Sequence, residues 1–97
     1  MVGRPYCWGG EGPHCFDCSG LTYAAWRAAG RVIPRTSEAQ RARLMRVALA
    51  EVRAGDIVWR PGHVGVYIGD GWVVHAPRTG EPVRYQPAHR YVEALRP

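Results

Sequence analysis

The period of the apolar residues changes part-way along this 97-residue chain, and that change limits its fold more than any other feature. From Cys18 to Ala29, Leu21, Ala24, Ala25 and Ala28 recur at helical spacing, and Gly30 follows as a stop signal. Asp17 stands where its carboxylate caps the first turn and suits the helix dipole. Pro34 breaks the chain, and Ser37 followed by Gln40 fits a capping box, which predicts a second helix from Glu38 to Met45. After the Gly55-Asp56 turn the pattern alternates. Ile57-Val58-Trp59, His63 to Ile68, Trp72 to Ala76, Pro82 to Tyr85 and Tyr91 to Leu95 read as strands, with turns at Pro61-Gly62 and Gly69-Asp70-Gly71. Residues 1–17 show no period and read as loop. Helices first and strands after predict one α+β domain over residues 1–97, its N-terminal helices packed on an antiparallel sheet of about five strands.

Composition adds limits. The net charge is +5, and all 13 cations are Arg. These arginines are scattered from Arg4 to Arg96 without interleaved aromatics, so nucleic-acid binding is not expected. The charge suits an anionic cell envelope or substrate carboxylates. No apolar run approaches the roughly 18 residues that span a bilayer, so no membrane insertion is expected. The first residues, Met1-Val2-Gly3-Arg4-Pro5, lack the apolar region of a signal peptide, and secretion would depend on a longer parent.

Three cysteines, Cys7, Cys15 and Cys18, fall in one short N-terminal stretch. Cys18 sits where loop becomes helix. Unpaired N–H groups there favour a thiolate and can hold an oxyanion as a carbonyl is attacked. Gly20 keeps side-chain bulk away from that approach. Position alone leaves a nucleophile and an inert buried thiol equally open. Two histidines move the balance. A thiolate needs a base, and the base needs a partner that fixes its tautomer. His63 begins one strand and His75 lies in the next, whereas His14 and His89 have no matching partner and read as structural.

The pairing of those strands decides whether His63 and His75 share a face. A two-residue Asp70-Gly71 loop pairs Gly69 with Trp72 and puts them on opposite faces. A three-residue loop pairs Ile68 with Trp72 and sets Gly65 across from His75. His63 then lies on the diagonal, roughly 7–8 Å away between backbones. The catalytic reading therefore predicts the three-residue turn, with Gly71 in the left-handed position.

Taken together, the stretches Pro5-Tyr6-Cys7-Trp8-Gly9-Gly10, Phe16-Asp17-Cys18-Ser19-Gly20-Leu21, Pro34-Arg35-Thr36-Ser37, Ala54-Gly55-Asp56-Ile57-Val58, His63-Val64-Gly65-Val66-Tyr67-Ile68-Gly69 and Val74-His75-Ala76 resemble the NlpC/P60 family of cell-wall cysteine peptidases. The resemblance implies a papain-like fold and hydrolysis of amide bonds in peptidoglycan stem peptides, between D-glutamate and the diamino acid. It implies Cys18 as nucleophile, His63 as base and His75 as the third polar residue, with no cofactor or metal. Tyr6 matches a tyrosine whose hydroxyl supports the oxyanion or substrate. Asp17 and Ser19 match positions that line the substrate cleft, and Arg35 matches a cleft-side arginine suited to a substrate carboxylate. Helix capping accounts equally well for Asp17, and a solvated surface position for Arg35.

The chain departs from the family pattern in lacking the usual first helix, which suggests a domain excised from a longer chain. Cys7 and Cys15 are unusual at their positions. They either form a disulfide, in keeping with an oxidising compartment, or stay as free thiols. A Cys15–Cys18 bond would silence the nucleophile. The expected settings are a secreted or envelope-associated wall-remodelling enzyme, a phage lysin or tail component, or an antibacterial toxin, the last with an inhibitor or immunity protein as partner. The rival readings are a zinc or redox site on Cys15-Phe16-Asp17-Cys18, and an amidase or acyltransferase of the same fold acting on a non-wall substrate.

Overall fold

In the computed structural model, which describes residues 2–97, two helices lead into a six-stranded antiparallel sheet. The helices are α1 (Cys18–Ala28) and α2 (Ser37–Arg43). The strands are β1 (Met45–Val47), β2 (Ile57–Arg60), β3 (His63–Gly69), β4 (Trp72–His75), β5 (Arg84–Pro87) and β6 (Glu93–Arg96). They lie in the order β1-β6-β2-β3-β4-β5. The sequence leads to about five strands. The sixth is β1, where α2 stops two residues early and Met45 pairs with Arg96 at the sheet edge. The cap of α2 also moves by one residue: Thr36 rather than Ser37 accepts the Ala39 N–H, at 3.2 Å. The last two strands start two residues later than their apolar patterns suggest. Val83 is held instead by the N-terminal segment, exchanging backbone bonds with Gly3 and Arg4.

Each face of the sheet buries a different set. On one face, Ile57, Trp59, Val64 and Leu95 meet Ile33 and the side chains of Cys18, Tyr23 and Trp26 from α1. A neighbouring cluster of Phe16, Leu21, Ala24, Ala76 and Val83 fastens the N-terminal loop to the same helix. On the other face, Val58 and Val73 pack with Tyr91 under Leu49, Val52 and Ala88. Leu21, Ile57 and Leu95 are fully buried, worth about 1.5–3 kcal/mol each against exposure.

Polar contacts join α1 to α2. Gln40 is fully buried; its Oε1 lies 2.9 Å from the Thr22 hydroxyl, and its Nε2 donates to the Pro34 carbonyl at 2.9 Å. Of the four apolar positions read in α1, Leu21 and Ala24 are buried, while Ala28 is exposed in the last turn. Among the described residues no helix is long and apolar enough to cross a membrane.

Candidate active site

Asp17 starts α1 as its N-cap, Oδ1 accepting the Gly20 N–H at 2.6 Å. Cys18 follows as the first helical residue. The N–H groups of Val64, Ser19 and Cys18 itself face its sulfur, which sets the thiol beside the start of β3. Gly20 is required for a different reason than open access to Cys18. A Cβ there would collide with the Gly10 carbonyl, so the helix start and the N-terminal loop are in direct backbone contact.

His63 and His75 come together across the β3–β4 hairpin. His63 Nε2 and His75 Nδ1 are 2.8 Å apart, and the rings meet edge to face at 85°. The turn is not the three-residue loop that the sequence reading requires. Gly69 pairs with Trp72 across Asp70-Gly71, whose φ values of 54° and 83° are both left-handed, as a type I′ turn demands. A bulge at Ile68 then shifts the register by one, so that Val66 pairs with Val74. The bulge thus restores the face-sharing that the tight turn alone would destroy. Gly65 faces His75, and a Cβ there would lie 3.2 Å from the His75 Cβ and 2.5 Å from a Val73 methyl.

Two further residues border this pair. The Tyr91 ring is stacked on His63 at 23° with centroids 6.1 Å apart, and the Arg60 guanidinium stands 5.1 Å from the Tyr91 centroid. In the sequence Tyr91 reads only as the start of a strand. Its approach to His63 arises because the 3₁₀ turn Ala88–Arg90 precedes it, a contact with no local sequence signal.

Tyr6, Trp8, Gly9, Glu11, Asp17, Cys18, Ser19, Arg35, Thr36, Ser37 and Gly62 line a cleft of ≈ 500 Å³. Arg35 is tied down inside it. Its Nε donates to Glu11 at 2.6 Å, Nη1 to Ser19 Oγ at 2.9 Å, and Nη2 to Asp17 Oδ2 at 3.0 Å. Asp17 Oδ2 also accepts the Gly9 N–H at 3.0 Å. Asp17, Ser19 and Arg35 therefore form one latch that includes Glu11, which belongs to no motif in the sequence. The loop is closed by a Cys7–Cys15 disulfide, and Cys18 is the free cysteine. With Cys15 bonded to Cys7, Cys15-x-x-Cys18 is not a paired motif. Among the described residues no three His, Cys, Asp or Glu side chains gather as a metal site. His14 and His89 are exposed.

The electrostatics run against the simple helix-start expectation. Burial pushes the Cys18 thiol up and the Asp17 carboxylate adds to this, outweighing the N–H groups that lower it. Burial, then His75 and Arg60, pushes His63 down to about 3. Burial, then Arg60 and Arg84, pushes His75 down to about 4, with Glu81 opposing and Arg90 adding to the lowering. Burial thus opposes the charged form of the thiol and of both imidazoles alike. Tyr6 is raised by burial and by the charges of Cys18 and Asp17, which places its hydroxyl in the field of the nucleophile.

Sequence comparison fits this geometry. The NlpC/P60 family model matches residues 3–94. The chain belongs to the NlpC/P60 family. It is 46% identical over 99 residues to a probable endopeptidase of Corynebacterium glutamicum, covering 94% of this chain and 47% of that protein. It is 40% identical to the probable endopeptidase p60 of Listeria monocytogenes, over 91% of this chain and 19% of the relative. This NlpC/P60 chain therefore spans about half or less of the curated relatives it matches. Among solved structures it superposes on the NlpC/p60 domain of the peptidoglycan hydrolase SagA with a TM-score of 0.85 and 32% identity, covering 98% of this chain and 88% of that one. The peptidoglycan hydrolase RipB of Mycobacterium tuberculosis gives a TM-score of 0.84 and 31% identity, over 98% and 58% of the two chains. The papain-like α+β fold of the family is thus the fold of this chain.

Proposed function

We propose that this domain is a cysteine endopeptidase that cleaves peptidoglycan stem peptides at the amide between D-glutamate and the diamino acid. The carrying observation is the 2.8 Å contact of His63 Nε2 with His75 Nδ1, made while Cys18 heads α1 beside the same strand. That contact leaves His63 Nδ1 as the ring nitrogen available to the thiol. The peptidoglycan hydrolases SagA and RipB, which share the fold, support the substrate class.

The chemistry follows from these positions. His63 takes the Cys18 proton as the sulfur attacks the carbonyl carbon, and His75 steadies the imidazolium that forms. The oxyanion meets N–H groups at the start of α1 and the Tyr6 hydroxyl. His63 then gives its proton to the leaving amine, and water hydrolyses the thioester that remains. The raised thiol and lowered imidazole mean that charge develops on attack rather than at rest. Asp17, beside Cys18, is the cleft carboxylate placed for a substrate ammonium, which would share it with Arg35. A parent secreted or delivered to the wall would bring the domain to this substrate.

Incubation with defined muropeptides and mass spectrometry of the products tests the reading. The expected result is cleavage at the D-glutamyl amide by the wild type and none by Cys18→Ala. Equal products from both, or none from the wild type, would overturn it.

A further inference from the structure

One hydrogen bond at Nε2 fixes where the His63 ring sits but constrains its tilt only weakly. Tilt decides whether the second nitrogen meets the Cys18 sulfur, and reacting groups must be aligned closely for catalysis. Two flat contacts act on the tilt: the edge-to-face meeting with His75 and the stack on Tyr91 at 23°. Tyr91 is itself immobilised. It is 2% exposed, it packs with Val58 and Val73, and its N–H donates to Ala88 at 3.1 Å. The next residue, Val92, donates to the Trp59 carbonyl at 2.9 Å, which holds Tyr91 beside Arg60. Arg60 pairs with His63 in the β2–β3 register and directs its guanidinium to the Tyr91 ring. Among the described residues it makes no ion pair. The Tyr91 hydroxyl is buried with no protein partner among the described residues, so it does not anchor His63; the ring does.

We propose that Tyr91 is a positioning residue that holds the plane of His63, and that Arg60 braces the Tyr91 ring through a cation–π contact. Nothing in this role requires the phenol oxygen. The proposal rests on His63 being the base, and it concerns which part of the fold keeps that base aligned.

The test compares Tyr91→Leu, Tyr91→Phe and Arg60→Gln, each checked for folding by circular dichroism and assayed below its melting temperature. Two substrates are used: a defined muropeptide, and p-nitrophenyl acetate, an activated ester that a Cys–His pair attacks without wall-peptide recognition. Tyr91→Leu is expected to lower kcat about tenfold or more with KM little changed. Tyr91→Phe is expected to restore most of that loss, and Arg60→Gln to lower kcat by a few-fold. Full activity of a folded Tyr91→Leu, or equal loss in Tyr91→Phe and Tyr91→Leu, overturns the proposal. If Tyr91→Leu does not fold, unchanged kcat in Arg60→Gln or a lost kcat in Tyr91→Phe overturns it instead. A wild type that turns over the ester but no muropeptide would refute the substrate class, and the variant pattern on the ester would still decide the role of Tyr91.

Discussion

Gly20 faces the Gly10 carbonyl with no room for a methyl group between them. The loop that walls the cleft is thereby pressed onto the first turn of the helix that carries Cys18. Gly20→Ala is expected to cost about 1–3 kcal/mol, because the clash is with backbone that cannot rotate aside. It should also displace the latch on Asp17. Thermal unfolding and kcat measured together check this, and a variant with wild-type melting temperature and activity would refute it.

Asp17 raises the Cys18 thiol while it caps the helix and holds Arg35, and these roles separate in Asp17→Asn. An asparagine keeps one acceptor for the Gly20 N–H but loses the charge that opposes the thiolate. Stability is expected to fall by about 1–2 kcal/mol. At the same time, alkylation of Cys18 should shift to lower pH. A pH profile of iodoacetamide modification reads the second effect independently of the first. An unmoved or raised profile would count against the electrostatic account.

His63 and His75 make stability depend on pH. Their folded values of about 3 and about 4 lie below the ordinary 6.5, so the unfolded chain binds more protons in the interval between. Stability is therefore full above pH 6.5 and is lost as the pH falls toward 4. The slope reaches about 1.4 kcal/mol per pH unit for each histidine. Denaturant unfolding at pH 7, 6 and 5 should show it, and His75→Gln should remove half or more, because it also takes away one cause of the lowered His63 value. A flat dependence would mean that the two rings accept protons in the fold.

Asp56 joins the turn before β2 to the last strand. Arg96 grips it with Nε to Oδ1 at 3.0 Å and Nη2 to Oδ2 at 2.7 Å, and the Arg53 N–H adds a third bond. Burial raises this carboxyl, but the Arg96 and Arg53 contacts outweigh it and leave the group below its usual range. The contribution is thus present above the unfolded value and lost as the pH falls through the lower folded one. Asp56→Asn at pH 7 is expected to cost about 2–3 kcal/mol. A melting curve checks it, and an unchanged midpoint would refute it.

Residues that act through local pattern were legible in the sequence, and those that act through distant pairing were not. The alternation from His63 to Ile68 carries the strand and its inward face, and Asp17 before Cys18 marks the helix start. The turn at Asp70-Gly71 is not legible in the sequence because a bulge two residues upstream compensates for it, and nothing around Ile68 announces a bulge. β1 escaped notice because Met45 and Arg46 are exposed and become a strand only by meeting Leu95 and Arg96, half a chain away. The Glu11–Arg35 bond and the Tyr91–His63 stack likewise join segments that no short window contains. The thiol's resting state depends on how deeply α1 is packed, and spacing does not reveal that.

With Cys7 and Cys15 bound to each other, Cys18 is left as the sole sulfhydryl of the chain. A thiol assay on denatured protein is then an inventory of competent molecules. One equivalent per chain that maps to Cys18 marks a usable preparation, one that maps to Cys7 marks a nucleophile lost to Cys15, and three mark an opened N-terminal loop.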